Sequence, residues 1–464
     1  MMQDAFDSLR PLLEKYGQSH LIGHWNSLNP IERELLVKDI QSIDFDELRR
    51  LFLGNDKGTD WKQLASHSKP PDAVRLEEVA AHRHAKTVGE DALRAGKVAM
   101  ILVAGGQGTR LGFDLPKGMF RIGPVSNRTL FAMHVDSLRG AMKKYEVEIP
   151  LLIMTSPATD QQTKEFFTAH NNLGLRNDQI TIFQQGTMPA IDASNGAVLL
   201  ESTHRIAMSP DGHGGIVKAL SQHGLLHACA ERGIEHFFYA QVDNPLVTAC
   251  DPTLIGHHLH RGSQMTTQVV QKRFAKEKVG NVVSIDGKTQ IIEYSDLPDE
   301  VAELQNPDGS LQLWAGNIAV HVLDRQFLEN CCVDDNALPF HRASKAVSFV
   351  DTSGSTIKPA TPNAIKFERF VFDLLPRAAR ALVVEGDAAE VFAPVKNAEG
   401  AATDTPSFSR LAISNRFKRW LAAAGVEFDD ACFVEINPLW ALDAEDVKTK
   451  IQSPSKIQSN TYFA

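Results

Sequence analysis

A glycine-rich segment with two nearby cations is the part of this sequence that most directly predicts a chemistry. Residues 102–112 read LVAGGQGTRLG and residues 116–118 read PKG. Glycines have no Cβ atom, so the main chain can take positive φ angles and turn its N–H groups toward a polyphosphate, as expected here for Gly105, Gly106 and Gly108. The guanidinium of Arg110 can grip two phosphate oxygens, whereas Lys117 acts as a compact point charge. The segment predicts a site for the phosphates of a nucleotide.

Two other glycine motifs are excluded by their spacing. A dinucleotide-binding fingerprint needs a third glycine at the position of Leu111, so an NAD-linked oxidoreductase is disfavoured. A P-loop needs Gly-Lys followed by Ser or Thr, but here Lys117 precedes Gly118 and the next residue is Met119. The remaining alternative is a tight turn that only requires glycine, and the cations beside it argue against that reading.

The elements that must position this segment are predicted to be strands of a parallel sheet. Residues 98–104 form an unbroken apolar run, typical of a strand buried on both faces, and the glycines begin at its carboxyl end. Open α/β sheets bind ligands at that edge. Asp243 follows a second predicted strand at 236–242, which places a carboxylate at the same edge. Asp243 is therefore a candidate Mg²⁺ ligand, the alternative being a residue that caps the turn before Pro245.

Strands and helices alternate through the middle of the chain, which favours an α/β fold with a mainly parallel central sheet and helices on both faces. A helical region is predicted over 1–95, with a helix start at Asn29, a catalytic domain over 96–375, and a small C-terminal α+β domain over 376–464. In the last of these a helix at 407–424 is expected to stop at Gly425. Strands are predicted at 98–104, 149–155, 179–184, 236–242, 279–285, 317–323 and 381–385.

Composition limits the classes of partner. The 464 residues carry 48 Lys and Arg against 57 Asp and Glu, so a net charge of −9 gives no general attraction to nucleic acid or to an acidic membrane surface. The 5 cysteines show no Cys-x-x-Cys spacing, which fits a reducing compartment. The beginning of the sequence has no signal-peptide pattern, and no apolar run approaches the length of a membrane span. A cytoplasmic protein with small-molecule substrates, and neither nucleic acid nor membrane as a partner, is expected.

The glycine-rich segment resembles the signature of the eukaryotic-type UDP-sugar pyrophosphorylases, and most of all that of the UDP-N-acetylhexosamine pyrophosphorylases. The likeness continues through further blocks in the same order along the chain. These blocks are 183–190 (FQQGTMPA), 210–215 (PDGHGG), 242–244 (VDN), 292–295 (IEYS), 315–318 (AGNI), 362–368 (PNAIKFE), 370–373 (FVFD) and 394–397 (PVKN).

This resemblance implies a Rossmann-like, GT-A-like nucleotidyltransferase fold and a defined reaction. A sugar-1-phosphate would attack the α-phosphorus of UTP, giving a UDP-sugar and pyrophosphate, with Mg²⁺ as cofactor. N-acetylglucosamine-1-phosphate is the substrate that the resemblance favours. The alternatives are a UTP-glucose-1-phosphate uridylyltransferase, an enzyme of broad sugar specificity, and a sugar-nucleotide sensor that has lost turnover. The retained charged residues argue against a sensor.

The resemblance also assigns roles to residues on the nucleotide side. Arg110 and Lys117 would hold the departing pyrophosphate and the α-phosphate, Lys366 would contact the nucleotide phosphates, and Asp243 would bind Mg²⁺. These four are the predicted catalytic residues. Uracil would be recognised by the main chain and by a neutral amide, which can offer donors and acceptors together, at Val103, Ala104, Gly105, Gly106, Gln185 and Gly212.

On the sugar side the resemblance points to Glu293, Tyr294 and Asn317 for the hydroxyl and N-acetyl groups and to Lys396 for the sugar phosphate. His213 stands where the N-acetylhexosamine enzymes usually carry Asn, and a Gly-His-Gly turn is more similar to the UDP-glucose enzymes. Two interpretations of His213 stay open: donation to a sugar hydroxyl, or a turn position with an unusual φ angle.

Two other groups of side chains are predicted to be solvent-exposed faces rather than sites. Three histidines lie close together without an accompanying ligand cluster, and four basic residues have no interleaved aromatic platform beyond Phe274. They are His257, His258 and His260, and Lys272, Arg273, Lys276 and Lys278.

Overall fold

The computed structural model describes residues 2–54, 61–334, 337–429, 431–451 and 456–464. Contacts between Cα atoms divide the chain into two compact units. The larger unit comprises Asp60–Gln184, Val217–Ala337 and Phe372–Ala464, and the smaller comprises Met1–Thr59, Gln185–Ile216 and Leu338–Val371. Both units draw on separate stretches of chain, whereas contiguous domains were expected from the sequence. The division into 1–95, 96–375 and 376–464 stays a prediction.

Helices occur along the whole chain. In chain order the α-helices are α1 (Met2–Lys15), α2 (Pro30–Gln41), α3 (Phe45–Leu53), α4 (Trp61–Ser66), α5 (Leu76–Ala81), α6 (Arg83–Arg94), α7 (Leu130–Tyr145), α8 (Asp160–Ala169), α9 (Ile216–Gln222), α10 (Leu225–Glu231), α11 (Pro252–His260), α12 (Asp299–Ala302), α13 (Arg325–Cys332), α14 (Ala388–Val391), α15 (Pro406–Ala422) and α16 (Ala444–Lys450).

The strands are, in chain order, β1 (Ala73–Val74), β2 (Val98–Val103), β3 (Leu151–Thr155), β4 (Ile180–Gln184), β5 (Thr187–Pro189), β6 (Ile191–Asp192), β7 (Leu200–Ser202), β8 (Arg205–Ile206), β9 (Met208–Pro210), β10 (His236–Gln241), β11 (Met265–Gln271), β12 (Asn281–Ile285), β13 (Lys288–Ile292), β14 (Ala315–Asp324), β15 (His341–Lys345), β16 (Phe349–Val350), β17 (Thr356–Ile357), β18 (Ala364–Glu368), β19 (Ala381–Glu385), β20 (Glu427–Phe428), β21 (Val434–Ile436), β22 (Lys456–Ile457) and β23 (Thr461–Phe463).

The predicted strands are confirmed. They correspond to β2, β3, β4, β10, β12, β14 and β19, and their ends differ from the predicted ones by no more than two residues. The predicted start of α2 is confirmed as well, because the Asn29 side chain accepts from the Glu32 N–H and Glu32 reaches back to the Asn29 N–H. Helix α15 is followed by Gly425 at φ +85°, as its sequence predicted.

The larger unit is built on a central sheet with the strand order β1-β19-β11-β14-β10-β2-β3-β4. Its pairings are parallel except for β14, which runs antiparallel to both β10 and β11. The hairpin of β12 and β13 joins this sheet through β14. The mixed but mainly parallel sheet with packed helices confirms the predicted α/β fold.

Strand β2 lies in the middle of this sheet, and all six of its residues are buried. Its parallel neighbours are β10, with Val103 opposite Gln241, and β3, with Val103 opposite Met154. The segments that follow β2, β3 and β10 therefore emerge at one edge of the sheet. Their main chains stay paired past the strand ends, because the Ala104 N–H donates to Met154 O (2.8 Å) and the Val242 N–H donates to Val103 O (3.0 Å).

The smaller unit contains the first helices and a three-stranded antiparallel sheet of β15, β18 and β6. Its apolar core joins buried residues of α1 and α2 to residues of the strands, among them Leu13, Leu36, Ile191 and Phe367. The N-terminal helices are thus packed on the sheet that carries the PNAIKFE block.

None of the helices in the described part of the chain is long and apolar enough to cross a lipid bilayer.

Candidate active site

The glycine-rich segment forms a loop that closes on itself just after β2. The Gly108 N–H donates to Leu115 O (3.0 Å) and the Lys117 N–H donates to Gly106 O (3.0 Å). Two short 3-10 turns, Thr109–Leu111 and Lys117–Met119, complete the loop. The second of these hydrogen bonds holds Lys117 beside Gly106, although ten residues lie between the two in the sequence. Arg110, in the first of these turns, is exposed.

The expectation of positive φ angles at Gly105, Gly106 and Gly108 is wrong. In this loop the positive φ angle belongs to Gly112 (+68°), whereas Gly108 has a φ of −81°. Gly108 is required for close packing, since a Cβ atom there would lie 2.7 Å from the ring and carbonyl oxygen of Phe113. A Cβ atom on Gly106 would meet no atom within 4 Å, so this glycine borders open space. The open side of Gly106 is where a phosphate group can approach the main chain.

Two hydroxyl groups from the end of β3 support the start of the loop. Ser156, almost completely buried, donates from Oγ to Gly105 O at 2.7 Å. Its own N–H donates to the buried Oγ1 of Thr159 at 3.1 Å. The sequence analysis missed this pair. Their signal was the polar sequence TSPAT, which follows a strand of the same sheet edge at residues 155–159.

Lys117 and Asp243 form an ion pair at the edge of the sheet. Lys117 Nζ lies 3.3 Å from Asp243 Oδ2, and the two side chains retain 18 % and 15 % of their surface exposed. Burial opposes ionisation of Asp243, but the positive charges of Lys117 and Lys396 outweigh it and lower the pKa of this carboxyl group below its ordinary value. Asp243 is therefore an ionised, partly accessible carboxylate, as a Mg²⁺ ligand must be.

Lys396 is brought to the same place through the main chain. The Val395 N–H donates to Asp243 O at 2.8 Å. Asn244, which is buried, donates from Nδ2 to Val391 O (2.8 Å) and accepts from the Ala393 N–H at Oδ1 (3.1 Å). The segment that precedes Lys396 is thus fixed to the end of β10. Asn244 belongs to the VDN block, yet the sequence analysis gave it no role.

A buried histidine supports the same strand end from helix α7. His134 Nε2 lies 3.0 Å from Val242 O. Burial is the main cause that lowers the pKa of His134 to about 4. His134 is therefore neutral at pH 7 and donates to the carbonyl group next to Asp243 without adding a charge to the site.

The predicted sugar-side residues Glu293 and Asn317 meet at Gly280. A Cβ atom on Gly280 would lie 3.3 Å from Glu293 Oε1 and 3.7 Å from Asn317 Cβ, so the glycine allows both side chains to approach. The Asn317 N–H donates to Gly280 O at 2.8 Å. Tyr294, next to Glu293 on the chain, has 48 % of its surface exposed.

A β-bulge in β14 sets the position of Asn317. The register with β11 shifts at this point, since Gln268 pairs with Val320 and Val269 pairs with Asn317. Ala319, within the bulge, has a φ of +55°, a conformation that costs energy for a residue other than glycine. Asn317 Oδ1 accepts from the Ala319 N–H at 3.0 Å and thereby stabilises the bulge. Strain of this kind is concentrated at functional sites.

The smaller unit carries Gln185 and Gly212 in contact with each other. Gln185 is buried and donates from Nε2 to Gly212 O (3.0 Å) and to Asp211 Oδ1 (3.2 Å). Gly212 has a φ of +84°, and a Cβ atom there would lie 2.4 Å from Arg369 O. Glycine is therefore required at 212, and the amide group of Gln185 is fixed in orientation.

His213 follows this turn and is fixed by the main chain. Its ring is stacked on Phe370 with 5.3 Å between centroids, and Nδ1 accepts from the Val371 N–H at 3.2 Å. Burial, with a contribution from His341, lowers the pKa of His213 to about 4. Positive φ in this turn belongs to Gly212 and not to His213, which removes the interpretation of His213 as a residue chosen for an unusual φ angle.

Lys366 lies in β18 of the smaller unit, between the buried residues Ile365 and Phe367. It is half-buried, and burial lowers its pKa from the ordinary value. Its position between two buried apolar residues accounts for this partial burial. The structure thus groups the predicted residues in two sets: Gln185, Gly212, His213 and Lys366 belong to the smaller unit, and the others belong to the larger unit.

Some residues predicted to be solvent-exposed are buried in the larger unit. His257 and His258 are at most 1 % exposed, and His258 Nδ1 lies 2.9 Å from Thr266 Oγ1. Lys272 is also buried, with Nζ 2.5 Å from Asn281 Oδ1, and burial lowers its pKa to about 8. The prediction of an exposed face fails for the two histidines because most of α11 is buried. It fails for Lys272, which follows β11, because its ammonium group lies against Asn281 of β12.

A family model described as UTP–glucose-1-phosphate uridylyltransferase matches residues 43–442. The chain belongs to this family. Family membership makes it a nucleotidyltransferase and confirms the resemblance derived from the sequence. The matched range includes each of the predicted site residues.

Two similar proteins match this chain over nearly its whole length. A human protein named UDP-N-acetylhexosamine pyrophosphorylase-like protein 1 is 36% identical over 444 residues, which cover 91% of this chain and 87% of the relative. A Saccharomyces cerevisiae protein named UDP-N-acetylglucosamine pyrophosphorylase is 34% identical over 449 residues, which cover 92% of this chain and 94% of the relative.

The fold is shared with a solved structure from Trypanosoma brucei, a uridine diphosphate N-acetylglucosamine pyrophosphorylase in complex with an inhibitor. The two chains superimpose with a TM-score of 0.83 at 24% identity, and the match covers 98% of each chain. At this identity the likeness shows the fold alone, and the positions of the site residues rest on the contacts described above.

Proposed function

We propose that this protein transfers the uridylyl group of UTP to N-acetylglucosamine-1-phosphate, forming UDP-N-acetylglucosamine and pyrophosphate. The observation that carries the proposal is the Lys117–Asp243 pair beside the glycine loop, with Lys396 held next to it. Two cations and one carboxylate at the carboxyl edge of a parallel sheet suit a nucleotide triphosphate with its metal ion. The name of the yeast relative supplies the sugar, and the name of the human relative gives the wider class of N-acetylhexosamines.

The reaction needs positioning and charge stabilisation rather than a general base. A phosphate monoester has a second pKa near ~6, so the attacking oxygen is already an anion at neutral pH. Lys396 would hold the sugar phosphate in line with the α-phosphorus, while Lys117 and Arg110 would stabilise the α-phosphate and the departing pyrophosphate. The absence of a Ser-His-Asp set among the proposed residues is consistent with this chemistry.

Asp243 would hold Mg²⁺ together with phosphate oxygens. Among the described residues, no group of three or more His, Cys, Asp or Glu side chains converges to bind a metal ion. Mg²⁺ usually takes only one or two protein carboxylates and completes its octahedron with phosphate oxygens and water, so the partly accessible, ionised Asp243 fits this role. The bound ion would neutralise charge that develops on the phosphates.

Gln185 would recognise uracil. Its amide nitrogen donates to Asp211 and Gly212, so Oε1 is the atom that can accept a hydrogen bond from a ligand. An acceptor at this position suits the imide N–H of uracil. Lys366 is half-buried, and burial lowers its pKa because its surroundings compensate the positive charge only in part. A nucleotide phosphate would pair with this charge.

His213 would donate to a hydroxyl group of the sugar. Because Nδ1 accepts from the Val371 N–H and the ring is neutral, the ring proton is on Nε2, which can donate. Glu293, Tyr294 and Asn317 would contact the remaining hydroxyl and N-acetyl groups. The Gly-His-Gly turn at 212–214 and the family description also support a second candidate function, the synthesis of UDP-glucose.

The experiment is pyrophosphate release from UTP and MgCl₂ with a panel of sugar-1-phosphates. We expect release with N-acetylglucosamine-1-phosphate, at a higher kcat/KM than with glucose-1-phosphate or N-acetylgalactosamine-1-phosphate. A higher kcat/KM with glucose-1-phosphate would replace the first function by the second. No release with any member of the panel would refute both and favour a sensor. Omission of MgCl₂ in the presence of a chelator should abolish release, which tests the role of the ion.

A cytoplasmic location remains a proposal that cell fractionation can test.

A further inference from the structure

We propose that Lys272 is a positioning residue for the sugar and that it acts through the side chain of Asn281. This inference rests on the proposed function, in which Glu293 and Asn317 contact the sugar. Lys272 belongs to the basic stretch for which the sequence predicts an exposed face, but only 5 % of its surface is exposed. The proposed reaction gives it no role.

Two side-chain hydrogen bonds explain why a lysine is buried at this position. Lys272 Nζ donates to Asn281 Oδ1 at 2.5 Å and to Ala275 O at 3.2 Å. Burial of an ammonium group costs free energy that an apolar side chain of similar length would not cost. Because burial lowers the pKa of Lys272 only to about 8, the group is mostly protonated at pH 7 and acts as a donor. Donation to these two acceptors is therefore what a lysine contributes here.

Lys272 determines which way the amide group of Asn281 points. Asn281 is buried, with 2 % of its surface exposed. An ammonium group accepts no hydrogen bond, so Asn281 presents Oδ1 to it and turns Nδ2 toward the main chain. Nδ2 donates to Ile292 O at 3.4 Å and to Val279 O at 3.5 Å. These two contacts are long, and the orientation that permits them depends on the short bond between Lys272 and Oδ1.

The two carbonyl groups held by Asn281 belong to the peptide bonds that lead into the predicted sugar site. Ile292 O is the carbonyl oxygen of the peptide bond to Glu293, and Val279 O is that of the peptide bond to Gly280. A Cβ atom on Gly280 would lie 3.3 Å from Glu293 Oε1, so these two residues are in close contact. The Asn281 side chain thus supports the backbone of both.

The pairing of the strands places Asn281 in the row next to the predicted sugar residues. Asn281 is opposite Ile292 in β13 and opposite Gly316 in β14. The adjacent row of the sheet contains Gly280, Glu293 and Asn317, and the Asn317 N–H donates to Gly280 O at 2.8 Å. The polar pair of Lys272 and Asn281 therefore borders the place where the sugar residues meet.

The loop that leads from β11 to Gly280 is closed by the same ammonium group. Lys272 begins this loop, and its Nζ bonds to Ala275 O within it. The buried carboxylate of Glu277 closes the loop further, since it accepts from the Arg273 N–H at 2.7 Å and from Arg273 Nε at 2.7 Å. Lys272 thus joins a compact loop to the strand residue Asn281.

A fixed arrangement behind the sugar residues has a definite consequence for binding. A site whose polar groups are held in place before the ligand arrives loses less entropy when the ligand binds. The side-chain contacts of Lys272 lead to Gly280 and Glu293, on the sugar side. The effect of Lys272 should therefore appear in KM for the sugar-1-phosphate and not in KM for UTP.

The test uses Lys272→Met in the full-length protein. Methionine keeps most of the length of the side chain and removes the donor. The matched control is Lys278→Met, the same substitution at an exposed lysine of the same loop. We expect Lys272→Met to raise KM for N-acetylglucosamine-1-phosphate by about tenfold and KM for UTP by less than about twofold. The control should leave both KM values within about twofold of those of the wild type.

A double-mutant cycle with Asn281→Leu shows whether Lys272 acts through Asn281. Asn281→Leu alone should raise KM for the sugar-1-phosphate to a similar extent, and the addition of Lys272→Met should raise it little further. The double variant leaves neither polar group of this pair unpaired, so it should unfold at a higher temperature than Lys272→Met. If Lys272→Met alone does not fold, the double variant carries the same test of the two KM values.

The kind of kinetic change separates positioning from a purely structural role. Loss of folded protein lowers the rate at saturation and leaves both KM values unchanged. That result, equal changes in both KM values, or effects of the two substitutions that multiply independently would overturn the proposal. Wild-type protein that releases no pyrophosphate would refute the proposed function, and this inference with it, so the two failures are distinguishable.

Discussion

Replacement of Lys117 by alanine is the perturbation that bears most directly on the proposed chemistry. The Lys117 ammonium lies 3.3 Å from Asp243 and is held beside Gly106 by its own main chain, so its charge has a fixed position at the edge of the sheet. The loss of one such preorganised donor costs about 3 kcal/mol of transition-state stabilisation. This energy corresponds to a decrease in kcat of about 100-fold.

The expected decrease is at least about tenfold even if solvent partly replaces the missing charge. Pyrophosphate release at saturating UTP and sugar-1-phosphate measures it, and thermal denaturation measures whether the fold is retained. Lys448→Ala is the control, since Lys448 is an exposed lysine in α16. Turnover of Lys117→Ala within about twofold of the wild type, with an unchanged melting temperature, would refute the assigned role.

Three further predictions concern the support of the loop, the sugar preference and the dependence of stability on pH. Ser156→Ala removes the 2.7 Å hydrogen bond to Gly105 O and should raise KM for UTP by about fivefold; a KM equal to that of the wild type would show that the loop does not need this bond. His213→Asn should shift the ratio of kcat/KM toward N-acetylated sugars, and equal ratios would remove His213 from the specificity argument. His134 has a pKa of about 4 when folded, so the unfolded chain binds more protons between that value and pH 6.5, and the melting temperature should fall as the pH decreases through this range. The glutamine of His134→Gln can still donate to Val242 O, so the melting temperature of this variant should fall less steeply on acidification than that of the wild type. Equal slopes of melting temperature against pH would contradict the role given to His134.

Much of the fold could be predicted because local patterns agree with the tertiary structure. The run at 98–104 is apolar throughout, and β2 is buried on both faces. The capping box at Asn29 requires only a four-residue pattern, and the structure contains both of its hydrogen bonds. Where the driving interaction lies within a few residues, the sequence was sufficient.

Features that depend on distant partners could not be predicted. The direction of β14 depends on its pairing with β10 and β11, and no local pattern distinguishes a parallel from an antiparallel strand. The bulge that places Ala319 at positive φ has no glycine to indicate it. Lys272 was expected to be exposed because it lies in a basic stretch, but its partner Asn281 comes from another strand.

The candidate site shows the same division. The residue types of Arg110, Lys117 and Asp243 pointed to phosphate and metal chemistry. The loop after β2 carries Lys117 and the end of β10 carries Asp243, and these two side chains meet in the structure. The positive φ angles expected at the glycines were wrong, because tight packing and open space, not φ, explain Gly108 and Gly106. Asn244 and Ser156 were missed because their roles are hydrogen bonds to main-chain groups far away in the sequence.

A crystal structure with UTP and Mg²⁺ tests the central claim most directly. The proposed function predicts that the triphosphate lies against the main chain at 103–108, within hydrogen-bonding distance of Lys117 Nζ, with the metal ion bound to Asp243. A triphosphate bound away from residues 103–117, or a metal ion that does not contact Asp243, would contradict it.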